Sequence, residues 1–350
     1  MDRKQGVLSA EGLKALVESG VITAELGPRQ LQPASLDLTL GRKAWRVRAG
    51  FLPSAETSVE ERLDALCLHE LDLTTETVLE KGCVYVVKLR ESLALPADLS
   101  ATANPKSSTG RIDVFVRLLA EGNDAYERVP AGYHGPLYAE ICPRTFSILV
   151  REGSSLNQLR VRSGDTVLSD AEVAGALGPG HHVAQGLNLS VDLSPELGPV
   201  AGWRARRHAG LIDVDKRDAL DPEGYFEPIE APKDGFLILD PDEFYILASQ
   251  EEVHVPEDLA AEMVAIDPEI GAFRAHYAGF FDPGFGTEEP SRAVLEVRGF
   301  DVPFILEHGQ RVARLGYEKL AARPDKLYGS GHASHYQGQR LKLSKHFRSA

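Results

Sequence analysis

Cysteine is scarce in this sequence of 350 residues, and long hydrophobic runs are absent. No run of about 18 apolar residues occurs, and the first twenty residues hold no apolar segment of signal-peptide length, which argues against a membrane span and a secretory leader. Cys67, Cys83 and Cys142 are isolated from one another. An odd number of separated cysteines is typical of a reducing compartment, so we expect a cytoplasmic protein whose thiols are buried in its core.

The sequence also lacks the zinc motif of base deaminases and any surplus of positive charge. Neither H-x-E nor P-C-x-x-C occurs, so the sequence argues against a zinc-dependent deaminase. The formal net charge is −14 at pH 7. This charge argues against nucleic acid or an anionic membrane as partner, because phosphate-rich surfaces attract surplus Lys and Arg. A small phosphorylated ligand remains compatible, since a few well-placed cations bind it.

The composition predicts a folded protein made mainly of β-strands. Hydrophobic residues make up 43% of the chain and charged residues 26%, as in ordinary globular proteins, and the length suits two domains. Short runs rich in β-branched and aromatic residues recur between Gly, Pro and Asp. Such runs predict a distorted barrel or compact sandwich of short strands in each domain, with a few short helices.

Two helix and strand motifs occur in the same order in both halves. A short helix predicted to begin at Ser9 precedes the phrase Ser-Leu-Asp-Leu at 35–38. A second helix, predicted to begin at Ser169, precedes Ser-Val-Asp-Leu at 190–193. Serine is a favoured residue at the start of a helix because its side chain accepts a bond from the first turn.

A further pair of phrases strengthens the repeat. An aliphatic strand followed by a Pro-x-Asp-Leu turn begins at residue 84 and again at residue 244. Chance seldom supplies such an order, so we predict an internal duplication with a first unit at 1–160 and a second at 161–350. Strand edges in such units generally need covering, which predicts a homo-oligomer.

The segment Lys106–Arg111 (KSSTGR) concentrates two cations and three hydroxyl groups on six residues. Hydroxyls, a guanidinium and backbone N–H groups together suit a polyphosphate, and Gly110 allows close approach. A solvated polar turn is the alternative interpretation of this segment taken alone.

Two carboxylates in the second half are candidates for binding and catalysis. Asp282 is flanked by Phe residues and followed by Pro-Gly within 280–285, an arrangement that suits a sugar hydroxyl with rings packed on the nucleoside. In the strand 293–297, alternation places Glu296 on the same face as Val294, and burial raises the pKa of a carboxyl group toward the range of a general base. The alternatives are an ordinary turn and a strand glutamate that points to water.

The C-terminal residues 328–345 are rich in Gly, Ser, His and cations. This composition suits a mobile lid that closes over phosphates and excludes water. The alternative is a frayed terminus, which the alternation of aromatic and amide side chains disfavours.

Together these phrases resemble the dCTP deaminases, relatives of the trimeric dUTPases in the dUTPase-like superfamily. The family phrases Q-P-A-S-x-D-x-x-L-G, R-S-S-x-x-R, I-D-P-G-[WF], a strand ending in L-E, and K-Y-x-x-Q have counterparts in the same order: Gln32–Gly41, Lys106–Arg111, Phe281–Phe285, Leu295–Glu296 and His335–Gln339. The resemblance covers most of the chain and implies two tandem dUTPase-like (β-clip) barrels, with a trimer of two-unit chains as the simplest assembly.

Neither half carries a complete set of phrases. The first half has Val129–Tyr133 (VPAGY) where Asp-Pro-Gly is expected, although Glu140 occupies the position of the family glutamate. The second half lacks the Ser-Ser and Arg near 265–269. Lys106 and His335 stand where the family has Arg and Lys. The resemblance therefore implies one composite site per chain, with phosphate-binding residues from the first half and nucleoside-binding residues from the second.

The resemblance implies hydrolytic deamination of dCTP to dUTP and ammonia without zinc. Glu296 would be the general base on a water molecule, which Ser107, Arg111 and the Ala278 carbonyl would position. Asp282 would bind the deoxyribose 3′-hydroxyl, with Phe285 beside the nucleoside. The triphosphate, with the Mg²⁺ that it carries, would be bound by the remaining site residues: Lys106, Ser108, Tyr328, His335 and Gln339.

Three alternatives stay open at the level of sequence. The same fold and phosphate phrase serve dUTP pyrophosphatases and bifunctional enzymes that convert dCTP to dUMP. The incomplete phrases are also compatible with an inactive nucleotide sensor. Finally, Glu140 is a second candidate for the general base, although the first half offers no Asp to bind the sugar.

Overall fold

The computed structural model describes residues 4–195, 198–264, 273–276, 279–330 and 336–348, with the side chains of 273–276 excepted. The chain divides into two compact units. Unit 1 comprises Met1–Thr166 together with Gly210–Arg217 and Leu320–Asp325, and unit 2 comprises Val167–Ala209, Asp218–Lys319 and Lys326–Ala350. Segments from the second half of the sequence thus contribute to unit 1.

Helices are few and short, as predicted. Those that lie wholly within the described residues are α1 (Ala10–Glu18), α2 (Val59–Leu66), α3 (Ser107–Gly110), α4 (Asp170–Leu177) and a 3-10 turn at Pro222–Gly224. At α4 the Ser169 side chain accepts a bond from the Glu172 backbone N–H, which the sequence predicts for a helix start. Ser9 precedes α1 but its side chain makes no capping bond, so that part of the prediction is wrong.

Strands account for most of the ordered structure, so the predicted mainly-β class is confirmed. Those in the first part of the sequence are β1 (Gly6–Val7), β2 (Ile22–Thr23), β3 (Leu31–Gln32), β4 (Ser35–Leu38), β5 (Leu40–Val47), β6 (Cys67–Asp72), β7 (Thr77–Leu79), β8 (Val84–Ala94), β9 (Leu99–Pro105), β10 (Val114–Ala120), β11 (Arg128–Val129), β12 (His134–Pro143), β13 (Ile148–Val150) and β14 (Asn157–Ser163). Those that follow are β15 (Leu187–Ser190), β16 (Val200–Ala205), β17 (Ile212–Asp213), β18 (Phe226–Glu230), β19 (Phe236–Leu239), β20 (Phe244–Val253), β21 (Leu259–Val264), β22 (Phe273–His276), β23 (Phe280–Phe281), β24 (Ser291–Gly299), β25 (Phe304–Glu307) and β26 (Arg311–Lys319).

Unit 1 contains three sheets. The strand order of the first is β11-β9-β14-β4-β3, with β1 on β14, and that of the second is β10-β12-β8-β5-β6, with β2 on β8. The third sheet is β17-β13-β7, in which β17 pairs in parallel with β13 through Ile148 and Ile212. Alternating residues of these strands form the core, because successive side chains of a strand point to opposite faces.

Unit 2 has the corresponding strand order in its own sheets. Among the described residues its largest sheet is β18-β16-β20-β24-β22, its second is β15-β26-β21-β23, and β19 pairs with β25. The strands β8, β12 and β9 of unit 1 thus correspond in order to β20, β24 and β21 of unit 2. The hydrophobic faces of the unit 2 strands form a core that includes Leu189, Leu247, Leu295 and Leu315.

The C-terminal segment of unit 2 is packed into the fold rather than frayed. Phe347 is buried and its ring lies edge-on to Tyr225 and Phe226, at centroid distances of 5.3 and 5.4 Å. The Arg348 backbone N–H donates to the Leu220 carbonyl at 2.9 Å. Ring contacts and a backbone bond therefore fix Phe347 and Arg348 against the segment at 220–226.

Phe347→Ala is expected to lower the free energy of unfolding by about 3–5 kcal/mol, because it removes a buried aromatic ring and leaves a cavity. Urea unfolding of the full chain measures the change. Ile238→Ala is the matched control, because Ile238 is half exposed and its truncation should change stability by less than about 0.5 kcal/mol. Equal stability of the Phe347 variant and the control would contradict the anchoring role.

Candidate active site

The Lys106–Arg111 segment forms the short helix α3 and the residue on each side of it. Ser107 is half-buried, and Ser108 and Arg111 are buried, with Arg111 only 3% exposed. The Thr109 and Gly110 backbone N–H groups donate to the Lys106 carbonyl, which closes the turn. The interpretation of this segment as a solvated polar turn is therefore wrong: an arginine is buried in a protein only where specific groups interact with it.

Lys106 is fixed by a carboxylate of the neighbouring strand β4. Its Nζ forms an ion pair with the Asp37 Oδ2 and lies 3.3 Å from the Ser155 Oγ. Asp37 is 5% exposed, so the ion pair is largely shielded from water. The pair orients the ammonium group at the start of α3, where the sequence predicts phosphate binding.

Glu140 of β12 is buried, and its carboxylate forms an ion pair with Arg117 of the adjacent strand β10. The two residues are directly opposite in the register, and the Arg117 Nε donates to the Glu140 Oε1 at 2.9 Å, with a second bond from Nη2. The guanidinium lies over the Tyr126 ring at 3.5 Å from its centroid. Burial and the nearby Glu140 carboxylate raise the pKa of Tyr126 to about 12.

Gly50 closes the other side of the Glu140 carboxylate. A Cβ atom at residue 50 would lie 2.5 Å from the Glu140 Oε2, and the Tyr126 hydroxyl lies 3.5 Å from the same oxygen. Backbone, a ring and a guanidinium thus surround the carboxylate. A ligand that bonded to the Glu140 Oε1 would therefore compete with Arg117 for that oxygen.

The Asp-Pro-Gly segment of unit 2 is a tight turn with an aromatic wall. Asp282 is 7% exposed and Phe285 is 4% exposed. The Phe285 ring lies 5.2 Å from that of Phe281 and 5.7 Å from that of Tyr328, between centroids. The prediction that a buried carboxylate is held in an aromatic environment matches these positions.

Gly284 is required at this turn for two reasons. Its φ of +93° lies in the left-handed region that favours glycine. A Cβ atom there would also lie 2.8 Å from the Leu327 Cβ. The Tyr328 backbone N–H donates to the Pro283 carbonyl at 2.8 Å, so the turn also fixes the position of Tyr328.

Glu296 lies in the middle of β24 and is 3% exposed. In the backbone register it is opposite Ile246 of β20 and His276 of β22. The predicted burial of Glu296 is therefore confirmed, although Leu295 on the opposite face is buried as well, so β24 is covered on both faces.

Gln339, a predicted triphosphate ligand, is buried against the beginning of strand β24. Its side-chain amide donates to the Arg292 carbonyl at 2.9 Å, and the Arg292 N–H donates to the Gln339 carbonyl at 2.8 Å. Gln337 accepts a bond from the Gly286 N–H at 3.3 Å. In this structure the Gln339 side chain is bonded to protein, so phosphate binding by it would require an exchange of partners.

Arg292 in turn forms an ion pair that sequence reasoning missed. Its Nη1 donates to the Asp192 Oδ2 at 2.6 Å, and Asp192 is 2% exposed. Asp192 also accepts bonds from the backbone N–H and hydroxyl of Ser194. Burial raises the pKa of Asp192, but the bonds from Ser194 and Arg292 outweigh burial and hold the pKa below its ordinary value of 3.8.

Asp192→Asn is expected to destabilise the protein at neutral pH by about 3–5 kcal/mol, because it leaves Arg292 without its buried counter-charge. A carboxyl group whose pKa is lower in the folded than in the unfolded chain stabilises the fold above the unfolded value. That contribution is lost as the pH falls through the folded value. The stability difference between wild type and variant, measured by urea unfolding, should therefore shrink below pH about 4; a difference independent of pH would contradict this assignment.

Two predicted site residues, Ala278 and His335, lie outside the described residues. Asp37, Arg117 and Arg292 were not identified from the sequence as interacting residues. For Asp37 a signal existed, since a Ser-x-Asp-Leu phrase occurs in both halves. For Arg117 the only signal was its place in a strand adjoining the Glu140 strand, and strand pairing is not readable from local sequence.

Two family models match successive parts of the chain. The 2′-deoxycytidine 5′-triphosphate deaminase N-terminal domain matches residues 4–165, and the C-terminal domain of the same family matches residues 163–347. No helix among the described residues is long and apolar enough to cross a membrane. The predicted family is thus supported over nearly the whole sequence.

Relatives of known structure and sequence agree with these matches. A crystal structure of 2′-deoxycytidine 5′-triphosphate deaminase from Agrobacterium tumefaciens is 50% identical, with a TM-score of 0.88 over 92% of this chain and 100% of that one. A dCTP deaminase, dUMP-forming, from Beutenbergia cavernae is 30% identical over 39% of this chain and 73% of its own length. Another of that description, from Halobacterium salinarum, is 29% identical over 49% and 90%. The chain belongs to the dCTP deaminase family.

Proposed function

We propose that this protein hydrolyses the exocyclic amino group of dCTP, releasing ammonia, with Glu296 as the general base. One observation favours Glu296 over Glu140 as the general base. The Glu140 carboxylate is bonded to Arg117 and enclosed by Tyr126 and Gly50, whereas Glu296 lies on a buried strand of the unit that also holds Asp282.

The Arg117 side chain supports this assignment in a further way. Its planar guanidinium donates two bonds to one carboxylate, which is also what a cytosine would do with its amino group and a protonated ring nitrogen. The position beside Glu140 is therefore filled by a group of the chain itself. Substrate at this position would have to displace a charged, ring-stacked arginine.

In the proposed mechanism, Glu296 takes a proton from a water molecule as it attacks C4 of the cytosine ring. Glu296 passes this proton to N3, then takes the proton of the new C4 hydroxyl and delivers it to the amino group, which leaves as ammonia while the C4 carbonyl forms. Ser107 and Arg111 orient the water and stabilise the charge that develops, and the Ala278 carbonyl is a further water ligand. Asp282 binds the 3′-hydroxyl and the Phe285 ring packs beside the nucleoside.

The triphosphate is proposed to bind the cations and hydroxyls of the α3 segment and the C-terminal residues. Lys106 and Ser108 contribute from α3, and Tyr328, His335 and Gln339 from the C-terminal part of the chain. Mg²⁺ accompanies the triphosphate as part of the substrate. Because Lys106 has a single charged head group, it binds phosphate as a point charge and not through the bidentate fork of an arginine.

The product is proposed as dUTP, with dUMP as the second candidate. The first follows from simple hydrolysis at C4. The second is favoured by the descriptions of the relatives from Beutenbergia cavernae and Halobacterium salinarum as dUMP-forming. In both cases ammonia is released, and only the second also yields pyrophosphate.

Incubation with dCTP and Mg²⁺, with ammonia, uracil nucleotides and pyrophosphate all measured, tests this proposal. Ammonia in equal amount to dUTP supports deamination alone, and ammonia with dUMP and pyrophosphate supports the second candidate. Pyrophosphate from added dUTP but no ammonia from dCTP would instead show a dUTP pyrophosphatase. Binding of dCTP without any turnover would show an inactive nucleotide sensor.

The common strand order of the two units also supports, as part of this proposal, an origin by duplication of one dUTPase-like unit. Loss of the Asp-Pro-Gly phrase in one copy and of the Ser-Ser phrase in the other would leave one working set of residues per chain. A homo-oligomer, with a trimer as its simplest form, and a cytoplasmic location remain predictions.

A further inference from the structure

The C-terminal residues of unit 2 form a loop that is fixed at both ends. At one end Gln339 is bonded to Arg292 through backbone and side chain. At the other, the Lys345 and His346 carbonyls accept backbone bonds from Asp218 and Ala219. The bonds at these two ends therefore fix the path of the loop between them.

This loop and the segment at Asp218–Pro222 enclose a pocket of about 400 Å³. Trp203 of β16 forms part of its wall. The volume lies within the range of roughly 300–1,000 Å³ typical of small-molecule sites. Neither Asp282 nor Glu296 lines this pocket, whereas Gln339, a candidate triphosphate ligand, does. The proposed general base and the proposed sugar-binding residue thus lie outside the pocket lining.

The lining carries a local excess of positive charge in a strongly acidic protein. Arg340, Lys342, Lys345 and Arg348 line the pocket against a single carboxylate, that of Asp218. Arg340 and Arg348 are exposed and form no ion pair with any other residue that the structure describes. The chain as a whole has a net charge of −14, so the sign of the charge on this lining is opposite to that of the protein. Exposed arginines such as Arg340 and Arg348 favour an anionic ligand, above all phosphate groups.

The rest of the lining is apolar and partly aromatic. It includes Trp203, Pro222, Leu341 and Phe347, and Trp203 is half-buried. An indole face stacks well on the flat ring of a base. A pocket with a cationic side and an aromatic side matches a ligand with phosphates at one end and a planar ring at the other.

We propose that this pocket is a second nucleotide site, which binds a nucleoside phosphate with its phosphates on Arg340, Lys345 and Arg348 and its base against Trp203. Simple polyphosphate would satisfy the cations but would leave the aromatic side unused. The site does not rest on the proposed deamination, since none of these four residues takes part in it.

Trp203 provides a direct reporter, because the chain contains only two tryptophans. In a Trp45→Phe background the remaining fluorescence comes from Trp203 alone. Titration with ATP, which lacks the cytosine ring, should change this fluorescence along a saturable curve. Inorganic tripolyphosphate should require about tenfold or more higher concentration for half-saturation, because it lacks the stacking contact.

Substitution of the arginines tests the place of binding. Arg348→Gln should weaken ATP binding about tenfold or more, as expected for loss of a bond between charged groups. Lys233→Gln is the control, because Lys233 is an exposed cation of unit 2 outside the pocket and should bind ATP as the parent does. Because fluorescence reports binding without turnover, a failure of dCTP deamination leaves this test unaffected.

Three results would overturn the proposal. They are the absence of a saturable change at millimolar ATP, equal half-saturation by ATP and tripolyphosphate, and an ATP response that survives the combined loss of Arg340 and Arg348. The second would show that only phosphate charge is recognised. The third would show that ATP binds elsewhere in the protein.

Discussion

Glu296→Gln should lower the rate of ammonia release from dCTP by about 10²–10⁴-fold, the usual contribution of a general base. The variant should still bind dCTP, because glutamine has the same shape and retains a carbonyl oxygen. Rates are measured at saturating dCTP with Mg²⁺, and binding by calorimetry. A loss of turnover with binding retained distinguishes a base from a residue that only holds the substrate.

Glu140→Gln is the matched control for this experiment. Both residues are buried glutamates on corresponding strands, with exposed fractions of 2% and 3%. Glu140→Gln weakens the bonds with Arg117, so we expect reduced stability but retained turnover by the protein that stays folded. Retained turnover in Glu296→Gln together with lost turnover in Glu140→Gln would show that the first unit carries the base.

Ser107→Ala should lower kcat by about 10²–10³-fold, because it removes a hydroxyl that orients the attacking water or stabilises transition-state charge. Ser107 is half-buried at the start of α3, so its truncation should cost little stability. The expected signature is a fall in kcat with KM changed far less, measured by ammonia release across a range of dCTP concentrations.

Ser100→Ala is the control for this second prediction. Ser100 is also half-buried and lies on β9, the strand that leads into α3. Its truncation removes a hydroxyl of the same size without touching the proposed site, so kcat should stay close to that of the wild type. An equal fall in kcat for both variants would assign Ser107 a structural role only.

The sequence was sufficient for the class of fold and for the local features of the site. The apolar neighbours of Glu296 in its strand predicted its burial, but period-two alternation did not show that both faces of β24 are covered. The Asp-Pro-Gly phrase predicted a tight turn, and the positive φ of Gly284 confirms that a glycine is needed there.

Features that depend on distant parts of the chain were not predictable in this way. The pairs Glu140 with Arg117 and Asp192 with Arg292 join residues 23 and 100 positions apart. The third sheet of unit 1 is completed by Ile212, from the second half of the sequence. The burial of Arg111 likewise reflects tertiary packing, whereas its local sequence indicates a polar turn.

The central claim is that the cytosine ring of dCTP is processed at Glu296 and not at Glu140. A structure of the Glu296→Gln variant with dCTP and Mg²⁺ bound tests it most directly. The account predicts C4 of cytosine beside the substituted side chain, the deoxyribose on Asp282, and Arg117 still bonded to Glu140. A cytosine ring beside Glu140, with Arg117 displaced from that carboxylate, would contradict it.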